Sequence, residues 1–222
     1  MVAPPQTTLE LLARCDNIAG HSLQELAEFA GIKMAKDLTT DKGWVGQLIE
    51  WHLGASAGNK PEQDFKHLGI ELKTIPIDRL GKVLETTFVC STPLLNTINL
   101  TWENSNICNK LSKVLWVPVQ GERHIELSQR IVGNGFLWTA NSEQTQLLKN
   151  DWNELMEKIA LGEIELLSAR DGQAVQLRPK AANGQCLTDA YGKNGKLIKV
   201  RPRGFYLKKN FTQSIINFQF NI

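Results

Sequence analysis

The chain has 222 residues, 42% of them hydrophobic and 22% charged, with a net charge of +2. Those totals fit an ordinary globular protein of one sizeable domain that buries its own core without staples. No apolar run approaches the ~18 residues that span a bilayer, and Met1-Val2-Ala3-Pro4-Pro5 lacks the basic start and apolar core of a signal peptide. A cytoplasmic location is therefore expected. The four cysteines, Cys15, Cys90, Cys108 and Cys186, lack CxxC or Cys/His spacing, which favours free thiols over structural zinc.

In chain order, Thr7-Thr8-Leu9-Glu10 opens a first helix in capping-box style, stopped by Gly20, and Ser22-Leu23-Gln24-Glu25 opens a second that ends at Gly31. Neither carries the cluster of basic or amide side chains needed by a base-reading helix, so both read as scaffold. A third helix is expected from near Gly43 to Leu53, closed by Gly54, with Glu50 inside it. The following Gly54-Ala55-Ser56-Ala57-Gly58-Asn59-Lys60 superficially suggests a phosphate-binding loop. Its glycine spacing is one residue short, Asn59 precedes Lys60, and Pro61 stands where Ser or Thr belongs, so nucleotide binding is rejected.

The stretch from Asp64 to Lys73 is the most informative. From Ile70 onward, apolar Ile70, Leu72 and then Ile75 stand against charged Glu71 and Lys73, the pattern of a strand with one face in a core. Glu71 and Lys73 then share a side, about 7 Å apart along the strand. A turn at Leu68-Gly69 brings Asp64 towards the same patch. Two acids and a lysine suit a hard divalent cation beside a group that handles phosphate or water. A surface strand with ordinary charges is the plain alternative.

After a turn at Asp78-Arg79-Leu80-Gly81, residues 84–89 read as an antiparallel partner of that strand. Residues 91–105 read as loop, and Lys110 sits on a short helix or turn. The apolar run at 114–119 predicts a central strand buried on both faces. A long helix is expected over 142–161, with Leu148, Trp152, Leu155, Met156 and Ile159 as its stripe. Residues 164–170 and 173–179 read as a hairpin about Asp171-Gly172. Glycine-rich loops follow, then a basic segment with interleaved aromatics at 200–209, and Thr212 is expected to cap a last helix. From Arg170 onward ten Lys and Arg face only Asp171 and Asp189, which suits either a polyanion partner or a solvated basic face.

The motif Asp64…Glu71-Leu72-Lys73 resembles the core of the PD-(D/E)xK nucleases, with Gln63 where the generic motif has proline. Wider blocks are similar to the MutH family of methyl-directed mismatch-repair endonucleases. They include Lys60-Pro61-Glu62-Gln63-Asp64-Phe65, Glu71-Leu72-Lys73-Thr74-Ile75-Pro76, Leu84-Glu85-Thr86-Thr87-Phe88-Val89-Cys90, Arg178-Pro179-Lys180-Ala181-Ala182-Asn183 and Arg203-Gly204-Phe205-Tyr206-Leu207-Lys208-Lys209.

The resemblance implies an α/β (α+β), restriction-endonuclease-like fold: a central mixed sheet flanked by helices, with lobes of about 1–105 and 106–222 forming a DNA cleft. It implies a Mg2+-dependent nick (one or two ions, replaceable by Mn2+ or Ca2+) on the unmethylated strand of hemimethylated GATC, 5′ of the guanine. It further implies a monomer acting on double-stranded DNA, activated by MutL and indirectly by MutS. Asp64, Glu71 and the Leu72 carbonyl match the metal ligands; Lys73 matches the group that orients water, Glu50 a further acid and Lys110 a supporting lysine. Arg178 matches a guanine contact and Tyr206 the sensor of adenine methylation, with Lys42, Gly43, Phe88, Pro179 and Lys180 as lesser contacts. A GATC restriction enzyme cutting both strands and a non-catalytic DNA-binding relative are the alternatives.

Overall fold

The helix starts of the N-terminal region follow from local hydrogen bonding. In α1 (Thr8–Ile18) the Thr7 hydroxyl accepts from the Glu10 amide at 3.1 Å. The Glu10 carboxylate accepts chiefly from the Gln6 amide and from Arg14. In α2 (Leu23–Ala30) Ser22 and Glu25 complete the reciprocal box. Helix α3 (Trp44–Leu53) runs between Gly43 and Gly54, as its glycines predict.

The remaining elements are β1 (Glu71–Ile77), β2 (Thr87–Ser91), α4 (Asn106–Leu111), β3 (Val114–Gln120), β4 (Phe136–Trp138), α5 (Ser142–Ala160), β5 (Val175–Pro179), β6 (Thr188–Tyr191), β7 (Leu197–Val200), β8 (Arg203–Leu207) and α6 (Lys209–Phe220). The structure, a computed structural model, describes residues 2–38, 41, 43–58, 60–180 and 186–221. Among these, no helix is long and apolar enough to cross a membrane.

The chain forms two compact units. One comprises Met1–Glu85, Ser112–Thr139 and Ile216–Ile222, and the other Thr86–Leu111 and Ala140–Ile215. Each draws on chain from both sides of residue 105, unlike the contiguous lobes expected above. The result is a mixed α/β protein.

In the first unit the sheet order is β1-β3-β4. Strands β1 and β3 are parallel, in register from Glu71 opposite Val114 to Ile77 opposite Gln120, and β4 runs antiparallel to β3. Parallel neighbours require a long crossover, and here the crossover is the entire 86–111 segment, which belongs to the other unit. The three helices supply Leu11, Cys15, Leu23, Leu26, Leu48, Ile49 and Leu53 to a core completed by Phe65, Ile70, Leu72, Leu115, Val117 and Val119. As its apolar run predicts, β3 is central and buried from Val114 to Val119.

Two expectations for this region change. Residues 84–89 are not the partner strand of β1: one antiparallel bridge, Ile77 to Val83, follows the turn, after which β2 joins another sheet with β8. Ile75 also changes sides. It shares parity with Glu71 and Lys73 rather than with Ile70 and Leu72, and β1 is buried on both faces because Ile70, Glu71 and Ile75 are each at most 1% exposed.

The second unit holds an antiparallel sheet in the order β2-β8-β5 and a β6–β7 hairpin. Helix α5 has the expected stripe, buried at Leu148, Trp152, Leu155, Met156 and Ile159, and packs on β5. The expected hairpin about Asp171-Gly172 does not form, since β5 pairs with β8 and residues 164–170 form no strand. Side-chain hydrogen bonds hold that region instead. Asp171 accepts from the Ser168 amide and from Lys158, while the buried Asp151 carboxylate accepts from the amides of Gln173, Ala174 and Val175. Lys208 is engaged here too, donating to the carbonyls of Arg170 and Gly172. Helix α6 starts at Lys209, three residues before the expected cap, and Thr212 is fully buried within it.

The Asp171 carboxyl is held down to about 2 from an ordinary 3.8, first by Lys158 and then by the Ser168 amide. A depressed folded pKa means that its contribution to stability is complete above the unfolded value and lost as pH falls through the folded one. The difference in urea midpoint between the wild type and Asp171→Asn is therefore expected to stay constant from neutrality to about pH 4.5. It should then shrink between 3.8 and about 2. A difference that persists unchanged through that window contradicts the assignment.

Candidate active site and nucleic-acid interface

The acidic strand is built by a tight return. The Phe65 amide donates to the Ile70 carbonyl at 2.9 Å, and a 3-10 turn at Lys66–Leu68 ends on Gly69 at φ 65. This closure carries Asp64 to β1, where its Oδ2 accepts from the Leu72 amide at 2.8 Å. Gln63 fastens the turn: its Nε2 donates to the Gly69 carbonyl at 2.9 Å and to Ser112 Oγ at 3.0 Å, at the entrance to β3. Where the generic motif has proline, this chain thus has a buried amide that ties the turn to the neighbouring strand. Sequence reasoning missed that role; the signal for it was a glutamine beside an acid that had to be held.

Glu71 is 1% exposed. Lys73 Nζ lies 2.5 Å from its Oε1, with the lysine side chain 14% exposed. The sequence placed both residues on one side of the strand, and this ion pair agrees. Breaking such a buried pair by deleting one partner strands a charge, which makes each member sensitive to the other. Trp116, the register partner of Lys73, presents its side chain on the same face. Its indole N–H is buried without a hydrogen-bond partner among the described residues.

Glu50 sits near the C-terminal end of α3, half-buried. Among the described residues no three Asp, Glu, His or Cys side chains are disposed to hold a metal together. The donors on offer are the carboxylates of Asp64 and Glu71, flanking the Leu72 backbone. Such an oxygen-only set fits Mg2+, which keeps several waters and takes one or two carboxylates together with substrate phosphates. Lys110 lies on α4 in the other unit, buried at 8% exposure. Gly43 caps α3 in the first unit, and Lys42 lies outside the described residues.

Four of the other expected DNA contacts, Phe88, Arg178, Lys180 and Tyr206, gather on one face of the β2-β8-β5 sheet. Tyr206 is in register with Phe88 on one side and Gln176 on the other, and Arg178 stands opposite Gly204. The alternate residues Val175, Leu177, Phe205 and Leu207 are buried on the opposite face. Tyr206 and Phe88 meet edge to face at 5.3 Å. The Arg178 guanidinium lies 5.4 Å from the Tyr206 ring and donates to Thr86 Oγ1 at 2.6 Å. Lys180 stands 4.4 Å over the Phe88 ring, and Pro179 ends β5 between these two cations. Burial pushes the Tyr206 phenol up from its ordinary pKa, against the opposing pull of Arg178, so it remains a neutral donor at physiological pH. Residues 86, 88, 178, 180 and 206 thus form one exposed surface of two cations and two aromatics. The basic segment divides in the fold: Tyr206 faces out, Phe205 faces the core, and Lys208 holds the 170–172 turn.

A mixed α/β fold with a buried acid–lysine pair on β1, a second acid hydrogen-bonded to that strand, and a cationic aromatic sheet face in its second unit, has the features of a protein that handles DNA. Comparison with known proteins gives the family. The model of "DNA mismatch repair enzyme MutH" matches residues 53–151. The chain is 58% identical over 216 residues to the DNA mismatch repair protein MutH of Vibrio cholerae serotype O1, covering 97% of this chain and 98% of that protein. It is 59% identical over 217 residues to the protein of the same name from Vibrio vulnificus, covering 98% and 96%. It is 56% identical over 216 residues to that of Shewanella baltica, covering 97% of each. The chain belongs to the MutH family of DNA mismatch repair proteins.

Gly204 leaves room for the Phe88 ring, because a Cβ there would stand 2.7 Å from Phe88 Cε2. Gly204→Ala is expected to destabilise the protein by about 1–3 kcal/mol through overpacking. In a Phe88→Ala background the same change should cost much less. Urea denaturation of the four proteins measures this coupling, and strictly additive effects contradict the contact.

Proposed function

We propose that this chain is a Mg2+-dependent endonuclease with a restriction-endonuclease-like fold. It nicks the unmethylated strand of hemimethylated GATC sites, immediately 5′ of the guanine, during mismatch repair in the cytoplasm. The observation that carries this reading is the arrangement on β1. Glu71 is buried against Lys73 while Asp64 is bonded to the intervening Leu72 amide, in a chain 58% identical to a MutH protein over nearly its whole length.

Hydrolysis of a phosphodiester needs an oriented water and compensation for charge developing on the phosphate. A divalent cation, when bound, supplies charge neutralisation and an acidified water. Asp64, Glu71 and the Leu72 carbonyl are the groups that would hold it. The hydrogen bond from the Leu72 amide fixes the Asp64 carboxylate against the strand. Lys73, held beside Glu71, is suited to orienting the attacking water. Glu50 and Lys110 serve as an additional acid and a supporting cation at the phosphate.

On the recognition face, the Arg178 fork suits guanine O6 and N7. Adenine N6 lies in the same groove, and a methyl group there adds bulk and removes one donor hydrogen. A ring held like Tyr206, between Phe88 and the Arg178 guanidinium, rejects that bulk sterically. Phe88, Pro179 and Lys180, with Lys42 and Gly43, contribute backbone and groove contacts. One chain with one acid pair makes one nick, which favours a monomeric nicking enzyme over a restriction enzyme that cuts both strands. MutL is its activator, with MutS acting upstream by finding the mismatch.

Supercoiled plasmids with unmethylated, hemimethylated or fully methylated GATC test the assignment. Nicking should fall with methylation and rise when MutL is added, whereas equal cutting of all three sinks the proposal. Asp64→Ala should abolish nicking while leaving DNA affinity within a few fold, as gel-shift titration would show; a fully active variant removes Asp64 from the site. Tyr206→Ser should narrow the difference in rate between unmethylated and fully methylated sites, and an unaltered ratio removes Tyr206 from that role.

A further inference from the structure

Gln176 has no place in the roles described so far. It is the register partner of Tyr206 on β5, two residues before Arg178, so its side chain rises on the face that carries Tyr206, Phe88 and Arg178. It is 5% exposed. Buried amides are ordinarily hydrogen-bonded, yet among the described residues no hydrogen bond engages its carboxamide, and its atoms are not among the sealed, unbonded ones either. Those are Thr92 Oγ1, Trp116 Nε1 and Arg203 Nε. The stem of Gln176 is therefore packed while its polar tip keeps contact with solvent. An amide held this way has its donor and acceptor open to a ligand.

We infer that Gln176 is a further specificity-determining residue: its carboxamide reads the major-groove edge of the adenine next to the guanine addressed by Arg178. Nε2–H donates to adenine N7 and Oε1 accepts from the N6 amino group, the bidentate pairing of a carboxamide with adenine. Residues two apart on a strand face lie about 7 Å apart, and the longer Arg178 side chain spans the remaining offset to the neighbouring base pair. Tyr206 is adjacent to Gln176 across the sheet, so the residue that senses the N6 substituent and the one that reads N6 and N7 stand in one row. This inference rests on the proposed reading of the face as a GATC-recognition surface.

The test is a cycle of two substrates and two proteins. Hemimethylated GATC duplexes with adenine or 7-deazaadenine in the unmethylated strand are nicked by the wild type and by Gln176→Met, which keeps the volume and lacks the carboxamide. Loss of N7 should lower kcat/KM of the wild type about tenfold, within the range of one bidentate base contact. Gln176→Met should be slower on adenine and nearly indifferent to the deaza substitution. An equal deaza penalty in both proteins, or none in the wild type, overturns the inference and leaves the GATC reading standing. A wild type that shows no preference for GATC sinks that reading instead. Urea midpoints confirm that the variants are folded. If Gln176→Met is not, Gln176→Glu serves, because it lacks the donor for N7 and should also lose the deaza penalty.

Discussion

Parallel pairing of β1 with β3 is the constraint from which the architecture follows. A parallel neighbour cannot be reached by a tight turn, so after β1 the chain leaves its unit at Glu85 and returns at Ser112. The excursion places Phe88 in the second sheet, beside β8, with Thr86 just ahead of β2. Strand β1 is also buried on both faces, which puts Glu71 in the interior, where a carboxylate is stable only with a partner such as Lys73.

Labour is divided between two kinds of surface. The acidic strand is a buried site in which hydrogen bonds fix the geometry: Asp64 to the Leu72 amide, Lys73 to Glu71, and Gln63 to Gly69 and Ser112. The β2-β8-β5 face is an exposed site whose side chains orient one another by ring and cation contacts, with Gly204 making room for Phe88. Rigid elements suit the proposed catalytic and base-reading roles, since both kinds of group lose effect with small displacements.

Much of this was legible locally. The cap at Ser22, the glycines bounding α3 and the unbroken apolar run of β3 each announce an element through short-range physics, and the structure has them where expected. The hairpin about Asp171-Gly172 was not legible correctly. The dipeptide does suit a turn, but the carboxylates of Asp171 and Asp151 bind amides and a lysine that no local pattern ranks against strand pairing. Ile75 was assigned to the wrong side because a strand covered on both faces has no clean alternation. Gln63 and Gln176 passed unnoticed, since an amide's importance lies in what surrounds it.

By itself the sequence determined the residue types of the site and their spacing: Asp64, Glu71 and Lys73 in one stretch, with Arg178 and Tyr206 far along the chain. Period-2 geometry also made Glu71 and Lys73 neighbours, because that depends only on the backbone of a single strand. Tertiary structure alone decided which strands pair, and hence that Glu71 is buried while Arg178 is exposed. It also brought Thr86, Phe88, Gln176, Arg178, Lys180 and Tyr206 onto one face. Strand partners are chosen by long-range burial and register, and these are properties of the assembled sheet that no short window of residues contains.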